Sequence, residues 1–542
     1  MKSPIEIQQY RRCILLFLIG ITCSIVALLI HVVDPVKMIV QHKLKMSPTS
    51  LTFSIWQKPP IAVYVYVYIF NVTNTDAFLS GEEKLKIEEI GPFVYQEILE
   101  NQNVTWHDNG TLTYIPKRSV EFKPEMSIGI PEEIYVSVPN IVMLGVSSAL
   151  HDAGFLVNYP FIQLSNFLDA MPILNITVQD YLWGYDDPMV YLAGSVVPKY
   201  ITFRKFGLLD RMYDEGTNVI NMNVKGNEDM LEERGRYLSI ESYNGNPGLS
   251  IWGYVKEEGN QTRPENTKCN RIQGATEGTV FPTMMDRRAV FRVFRKAFCR
   301  PMPIAFVKEV NLDGLPGYQY GIPDNFADPP EQNPDNECFC RDRTCLKRGL
   351  LDLTPCYYNI PAAASLPHFL NADPSVSDGI EGLNPDPEKH ETVIILQPNL
   401  GIPMYVHSRL QTNLMMKETY YNSKIKPFNN LTVPLFWTDL VIPEIPPNLM
   451  FLLRLAITIA PVGQTIFAIV FGVFGLGVIC WSLARAFLVL HQQQQEEAAA
   501  GDYFERRDST TELRIPLGYG PYTSIRILPA IKKITSKTDL FM

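Results

Sequence analysis

IAVYVYVYIF, residues 61–70, decides the fold class. Val63, Val65, Val67 and Ile69 fall on one side of an extended chain, and Tyr64, Tyr66, Tyr68 and Phe70 on the other. A period of two in β-branched and aromatic residues predicts a strand, apolar on one face, aromatic on the other and buried on at least one side. Shorter β-prone runs surround it: GPFVYQEIL (91–99), TLTYIP (111–116) and ETVIIL (391–396), broken by proline and glycine. The 41 prolines favour short strands and irregular connections over long helices. Residues 34–454 are therefore predicted to form one large β-rich domain.

One stretch inside it reads as helical. From Val138 to Tyr185 the chain runs through NIVMLGVSSALHDAGFLV and PFIQLSNFLDAMPIL, with Leu164, Phe167, Leu168 and Met171 at helical spacing. Two readings fit, a core-packed helix pair or an exposed apolar surface that docks a partner or admits lipid. No Lys or Arg occurs between Pro124 and Pro198, while Glu132, Glu133, Asp152, Asp169, Asp186 and Asp187 do. A strongly anionic ligand is a poor electrostatic match to such a segment.

Outward from the domain, each end carries a hydrophobic segment. Residues 13–33, CILLFLIGITCSIVALLIHVV, hold no Asp, Glu, Lys or Arg and are long enough for a hydrocarbon core of roughly 30 Å. No small-residue cleavage pattern follows, so this is read as an uncleaved signal anchor. The second predicted span is 462–484, with Pro461 at its first turn. The preceding PPNLMFLLRLAITIA either extends that span or lies in the interface as an amphipathic helix. Lys2, Arg11 and Arg12 before the first span place the N-terminus, residues 1–12, in the cytosol. The tail, 485–542, carries Arg506, Arg507, Arg514, Arg526, Lys532, Lys533 and Lys537 and is read as cytosolic too. The domain between the spans is then extracellular or lumenal, at the plasma membrane or in endosomes and lysosomes.

Acceptor triplets and cysteines follow the same partition. The N-x-S/T sites Asn71, Asn103, Asn109, Asn175, Asn260 and Asn430 all lie between the spans, and each, if glycosylated, marks a solvent-facing position. Six cysteines, Cys269, Cys299, Cys338, Cys340, Cys345 and Cys356, cluster in the same segment and read as three disulfides, with 15 pairings open. The rival, a zinc site on C-F-C-x4-C, has no nearby histidine to complete it. Cys13 and Cys480, near the cytosolic face, are candidates for palmitoylation, or pack between helices.

A search for chemistry finds none. H-E-x-x-H, G-x-S-x-G and G-x-x-x-x-G-K are all missing. His368 reads as a structural histidine, and Asp186 and Asp187 before Pro188 read as a turn. No catalytic residue, cofactor or metal is expected. The net charge of −9 argues against nucleic acid as a partner. In the tail, Tyr522 and Ile525 fit a Y-x-x-Φ sorting signal for an endocytic adaptor, and QQQQEEAAA at 492–500 is expected to continue the second helix into the cytosol.

Six motifs in order carry a family resemblance. NVTNTDAFLSGEEKLKIEEIGPFVYQE (71–97), YLWGYDDP (181–188), CNRIQGATEGTVFP (269–282), SLPHFLNADP (365–374), QPNLGIPMYVHSRLQTNL (397–414) and VPLFWTD (433–439) resemble segments of the class B scavenger receptors. The resemblance runs from the first span to the second. It implies a mixed β/α fold: an antiparallel β-barrel core, an apical helical bundle over 138–185, and an apolar tunnel that passes lipid toward the bilayer. A water-shielded path lowers the cost of moving acyl chains through water, about 0.8 kcal/mol per methylene. It also implies the pairs Cys269–Cys338, Cys299–Cys356 and Cys340–Cys345. The implied function is a non-enzymatic receptor that binds lipids or lipid-carrying particles. Leu156, Val157, Phe161, Ile162, Leu164, Phe167 and Leu168 are the expected capture residues at the apex. The expected partners are the membrane, a lipid or lipoprotein ligand, the adaptor, and a second copy in a homo-oligomer. The alternatives are a sorting receptor for a lumenal protein and an adhesion protein. Several family members capture oxidised lipoprotein with apical lysines, and the 138–185 segment has none.

Overall fold

The computed structural model describes residues 4–191, 203–214, 216–225, 236–341, 344–443 and 445–508. Two compact units emerge: 34–464, and the terminal segments before Asp34 and from Thr465 on.

The larger unit is a mixed helix–sheet fold. Among its strands, in chain order, are β1 (Val63–Val72), β2 (Leu85–His107), β3 (Thr111–Phe122), β4 (Tyr135–Pro139), β5 (Ile173–Thr177), β6 (Ile220–Asn223) and β7 (Ile240–Tyr243). They continue with β8 (Phe291–Phe294), β9 (Pro301–Leu312), β10 (Leu315–Gly321), β11 (Val393–Gln397), β12 (Ile402–Met415) and β13 (Thr432–Ile442). The main path runs β8-β9-β10-β11-β12-β13-β1-β2-β3-β6-β7, and every neighbouring pair along it is antiparallel.

β1 lies in the middle of this path, as its composition demands. Val65, Val67 and Ile69 are buried, and the tyrosines opposite are half-buried. Tyr68 stacks on Trp437 of β13 with ring centroids 4.1 Å apart, a cross-strand aromatic pair of the kind that fixes register.

The two ends of the path meet one short segment. On one side, Ile240 N–H of β7 donates to Ala275 O at 2.7 Å, and Gly274 N–H donates back to Ile240 O at 2.9 Å. On the other, Thr276 N–H donates to Arg292 O at 2.7 Å, and Phe294 N–H of β8 donates to Thr276 O at 2.8 Å. Residues 274–276, inside the CNRIQGATEGTVFP motif, thus satisfy backbone groups that two sheet edges would otherwise leave open.

Helix α1 (Pro4–Val33) ends at Val33, and α2 (Pro35–Leu44) starts after Asp34, whose side chain caps it by accepting from Lys37 N–H. α3 (Leu51–Gln57) drives Trp56, fully buried, into a cluster with Leu112, Tyr114 and Ile240. Over the sheet lie α4 (Ile141–Ala149) and α5 (Phe155–Phe167). The helical reading of 138–185 holds for these two, but the region also contains β5, which pairs with β4 at the region's start. The cap's α4 joins β1 and β2 in the largest apolar core, with Met143, Leu144, Phe93 and Phe436.

The six cysteines of the 34–464 unit are joined as Cys269–Cys338, Cys299–Cys356 and Cys340–Cys345. The arm they tie is locked to the sheet by Arg300, whose guanidinium lies 3.7 Å from the Phe339 ring centre and 5.0 Å from that of Trp252.

At the C-terminal side, α6 (Pro447–Arg454) runs through a single π-helical turn into α7 (Ala460–Asp508), a helix of 49 residues that includes QQQQEEAAA. The α1 and α7 regions are each long and apolar enough to cross a membrane.

Candidate functional site

Two features of the 34–464 unit are candidate ligand surfaces: the outer face of the helical cap and a set of cavities, one of which reaches α4 at Ile141.

The two cap helices differ in where their apolar atoms go. α4, IVMLGVSSA, is apolar nearly all round, and Ile141 to Gly145 are all buried; Asn140 caps it, its Oδ1 accepting from Met143 N–H at 3.0 Å. α5 is inverted. Its buried residues are Asn158 and Ser165, while Leu156 is 87% exposed and Phe167 86%. Asn158 Nδ2 donates to the carbonyls of Leu150 and Ala153, at 3.1 and 2.7 Å, and so anchors the helix by polar contacts. Eleven residues are three turns and about 20°, so Leu156 and Phe167 share one face about 16 Å apart. A helix whose fully buried residues are polar while Leu156 and Phe167 stand exposed keeps an apolar face that core packing does not use.

The seven expected capture residues therefore divide. Leu156, Val157 and Phe167 are exposed, and Leu164 is half-buried. Phe161 and Leu168 pack against the core. Phe161 and Ile162 also line a small crevice with Tyr420 and Tyr421 from a distant part of the chain. Phe155 extends this aromatic group, with Tyr159 at 5.1 Å and Tyr421 at 5.9 Å between ring centres. The same distant segment brings in cations that the cap's own sequence lacks. Lys417 is exposed, and its N–H donates to Ser148 Oγ of α4 at 2.9 Å. Lys424 Nζ reaches Ala170 O at 3.5 Å. The cap segment is free of lysine, but the cap surface is not.

Three cavities share walls, and one of them reaches α4 at Ile141. The smallest, about 40 Å³, is apolar and lined by Ile141, Phe206, Leu208, Ile360, Leu414 and Phe436 among others. The largest of the three, about 270 Å³, opens beside Arg211, Tyr357 and Tyr358, which also wall the first. The third, about 50 Å³, sits against the face of the sheet on which Val65, Leu440 and Ser408 are cross-strand neighbours. Met212 lines all three, and Ala297 lines the second and third.

The third cavity has a charged wall. Glu97 is buried, with Arg295 Nη2 donating at 2.6 Å and Tyr213 Oη donating at 2.9 Å, and with Arg118 Nε in an ion pair at 3.7 Å. Burial alone would raise the Glu97 carboxyl; the guanidiniums of Arg295 and Arg118, with the Tyr213 hydroxyl, outweigh it and hold the group below its ordinary range. Burial pushes the Tyr213 phenol well up, so it stays a donor.

The residues weighed for chemistry are structural in their contacts. His368 Nε2 bonds Glu89 at 2.8 Å, and its Nδ1 accepts from Asn384 N–H at 3.1 Å. Asp187 Oδ1 accepts from the N–H groups of Met189 and Val190. Among the described residues no group of His, Cys, Asp and Glu is arranged to hold a metal ion. Of the acceptor asparagines, Asn103, Asn109, Asn175, Asn260 and Asn430 are exposed. Asn71 differs: it is half-buried, its Oδ1 accepts from Ser137 N–H, and its Nδ2 donates to Glu88, both at 2.8 Å. Cys13 is half-buried and Cys480 exposed. Tyr522 and Ile525 lie outside the described residues.

A large antiparallel sheet under a helical cap, three disulfides in one arm and an apolar helix at each end form the layout of a membrane receptor of the class B scavenger type. The family comparison agrees: the model of the CD36 family matches residues 14–486, and the chain belongs to that family. It is 28% identical to scavenger receptor class B member 1 of Bos taurus over 426 residues, covering 78% of this chain and 79% of that one. It is 30% identical to lysosome membrane protein 2 of Homo sapiens over 387 residues, covering 70% and 74%.

Proposed function

We propose that this protein captures lipid, or particles that carry lipid, on its helical cap and passes the lipid inward through the space beneath. The observation that carries this reading is Met212, one flexible thioether side chain shared by three cavities. Methionine re-packs at low cost, so it can open the path between the apolar cavity under α4 and the cavity against the sheet. The bonds from residues 274–276 to both β7 and β8 support a sheet closed into a barrel, with the Glu97 cavity in its interior. The exposed α5 stripe, led by Leu156 and Phe167, supplies the receiving surface.

The chain is a two-span protein in this reading, with both termini cytosolic. The disulfides and the five exposed acceptor asparagines suit an extracellular or lumenal domain. Homology to a scavenger receptor supports lipid or lipoprotein as the cargo class.

Capture and passage separate by mutation in cells given donor particles with a fluorescent lipid. Phe167→Glu reduces particle binding and lipid uptake together. Met212→Trp preserves particle binding and surface abundance but reduces lipid uptake several-fold. Uptake that survives both changes, at equal surface abundance, overturns the reading and favours sorting or adhesion.

A further inference from the structure

The cap and cavities leave another part of the 34–464 unit, around α2 and α6, without a role. α2 and α6 each pack one side against the domain. Val40 and Leu44 of α2, and Leu449 and Leu453 of α6, join one apolar cluster with Leu315 and Met404. Their other sides are apolar as well. Met38 is 56% exposed and Ile39 61%, while Phe451 is 59% and Leu452 48% exposed. A pair of short helices packed into a core on one side and apolar on the other has a second medium to meet.

Charge and connectivity identify that medium. Lys37, Lys43, Lys45, Lys58 and Arg454 are exposed around the two helices. Arg454 Nη2 donates to the backbone carbonyl of Asp313 at 2.8 Å. The acidic residues of the same stretches are fewer: Asp34, Asp313 and Glu444. α2 begins two residues after α1 ends at Val33, and α6 is continuous with α7 through one π turn. Both helices therefore lie within about 15–20 Å of chain from a hydrophobic span, at 1.5 Å per residue. A side-chain clasp between Asp34 and Gln464 pins together the two points where the domain joins those spans.

We propose that α2 and α6 form a membrane-contact platform whose partner is the headgroup layer of the leaflet that the chain's own spans enter. Met38, Ile39, Phe451 and Leu452 insert among the headgroups, and the lysines favour anionic lipid. The platform fixes the base of the domain against the bilayer. This rests on the reading of α1 and α7 as spans, and the test separates the two.

The full chain is placed in nanodiscs of phosphatidylcholine with phosphatidylserine, with Cys13, Cys23 and Cys480 changed to Ser. A fluorophore is attached at Ile39→Cys, at Phe451→Cys, or at Tyr135→Cys as a reference, a site 65% exposed on β4. Lipid spin-labelled at the headgroup should quench positions 39 and 451 at least fivefold more than position 135. Lys37→Glu with Lys43→Glu should lower quenching at 39 at least twofold, and only when phosphatidylserine is present. Equal quenching at 39, 451 and 135 overturns the platform; charge reversal without effect overturns the anionic preference. A chain that keeps native Cys23, labelled there, tests the spans alone with lipid spin-labelled on the acyl chain. If Cys23 is quenched while 39 and 451 are not, the spans stand and the platform falls.

Discussion

Gln464 and Asp34 are hydrogen-bonded across 430 positions of sequence: Gln464 Nε2 donates to Asp34 Oδ1 at 3.0 Å, and Gln464 Oε1 accepts from Val36 N–H at 2.9 Å. The same Asp34 oxygen caps α2 by accepting from Lys37 N–H at 3.2 Å. One carboxylate therefore starts a helix and closes a loop that contains the whole domain. The two ends of the 34–464 unit are held by side chains as well as by packing.

The clasp predicts coupling between the two sites. Asp34→Ala removes a helix cap, at a cost of about 1 kcal/mol. Gln464→Ala removes two hydrogen bonds of about 1 kcal/mol each. Because the bond between them is lost in either variant, the double variant should cost less than the sum, by about 0.5–1.5 kcal/mol. Denaturant unfolding of the four chains in one double-mutant cycle measures this. Strict additivity would show that the contact contributes nothing.

Trp56 packs against the sheet near its β7 end. It is fully buried; its ring meets Tyr114 edge-on at 4.7 Å, and its Nε1–H donates to Glu277 at 2.8 Å. Trp56→Ala should cost about 3–5 kcal/mol, the range for a large buried aromatic. Trp56→Phe keeps most of the ring contact but leaves Glu277 without that donor, and should cost about 1–3 kcal/mol. The order Ala worse than Phe, read from denaturant midpoints, separates packing from the hydrogen bond.

His390 gives the domain a pH dependence of known sign. Its ring stacks on His368 at 4.6 Å, and its Nδ1 accepts from Asp386 N–H at 2.9 Å. Burial, and then the neighbouring His368, pull its pKa from 6.5 down to about 4. A histidine depressed in the folded state takes up its proton more readily when unfolded. Its contribution is full above pH 6.5 and is lost as pH falls from 6.5 toward 4. Glu89 beside it is also depressed, against the pull of burial, by its bonds from His368 and Trp437, so its own loss begins only below the ordinary carboxylate value of 4.5. Between pH 6.5 and 4.5 the slope therefore reports His390 of these two. His390→Gln should flatten the thermal-stability profile in that window; an unchanged slope would place the titration elsewhere.

Much of this architecture is legible in sequence where the signal is local. The alternation at 61–70 gives β1 because burial of Val65, Val67 and Ile69 and half-burial of the tyrosines are the pattern itself. The helix boundary at Val33 is visible because Asp34 and Pro35 are a cap and a first-turn proline. The inversion of α5 is within reach, since Asn158 and Ser165 share its buried side, but apolar spacing alone does not say which face is inward. The rest depends on distant partners. β5 is a strand because β4 lies beside it, and ILNIT by itself reads no differently from a helix continuation. Met212 stands between Arg211 and Tyr213 with no periodic signal, and only the fold makes it a shared wall. Lys417 and Lys424 reach the cap from far along the chain, so a charge count of 124–198 misses them.

The terminal helices meet through glycine, and that contact makes the last prediction. A Cβ on Gly475 of α7 would lie 2.6 Å from Ser24 Oγ and 2.8 Å from Gly20 O of α1; a Cβ on Gly20 would lie 2.7 Å from Ile479 Cγ1 and 2.8 Å from Gly475 O. The clash is reciprocal and involves backbone, so a neighbouring rotamer cannot relieve it. Small residues of this kind let helices approach closely in lipid, where packing replaces the hydrophobic drive. Gly477, two residues on, has open space around its Cβ position. Gly475→Ile should drive the two helices apart, while Gly477→Ile changes the same helix with the same residue and leaves the contact alone. Native Cys23 and Cys480 serve as spin-label sites once Cys13 is changed to Ser. The distance between them should lengthen and broaden for Gly475→Ile and stay unchanged for Gly477→Ile. Equal distributions in both variants would mean that α1 and α7 are not held together by this contact.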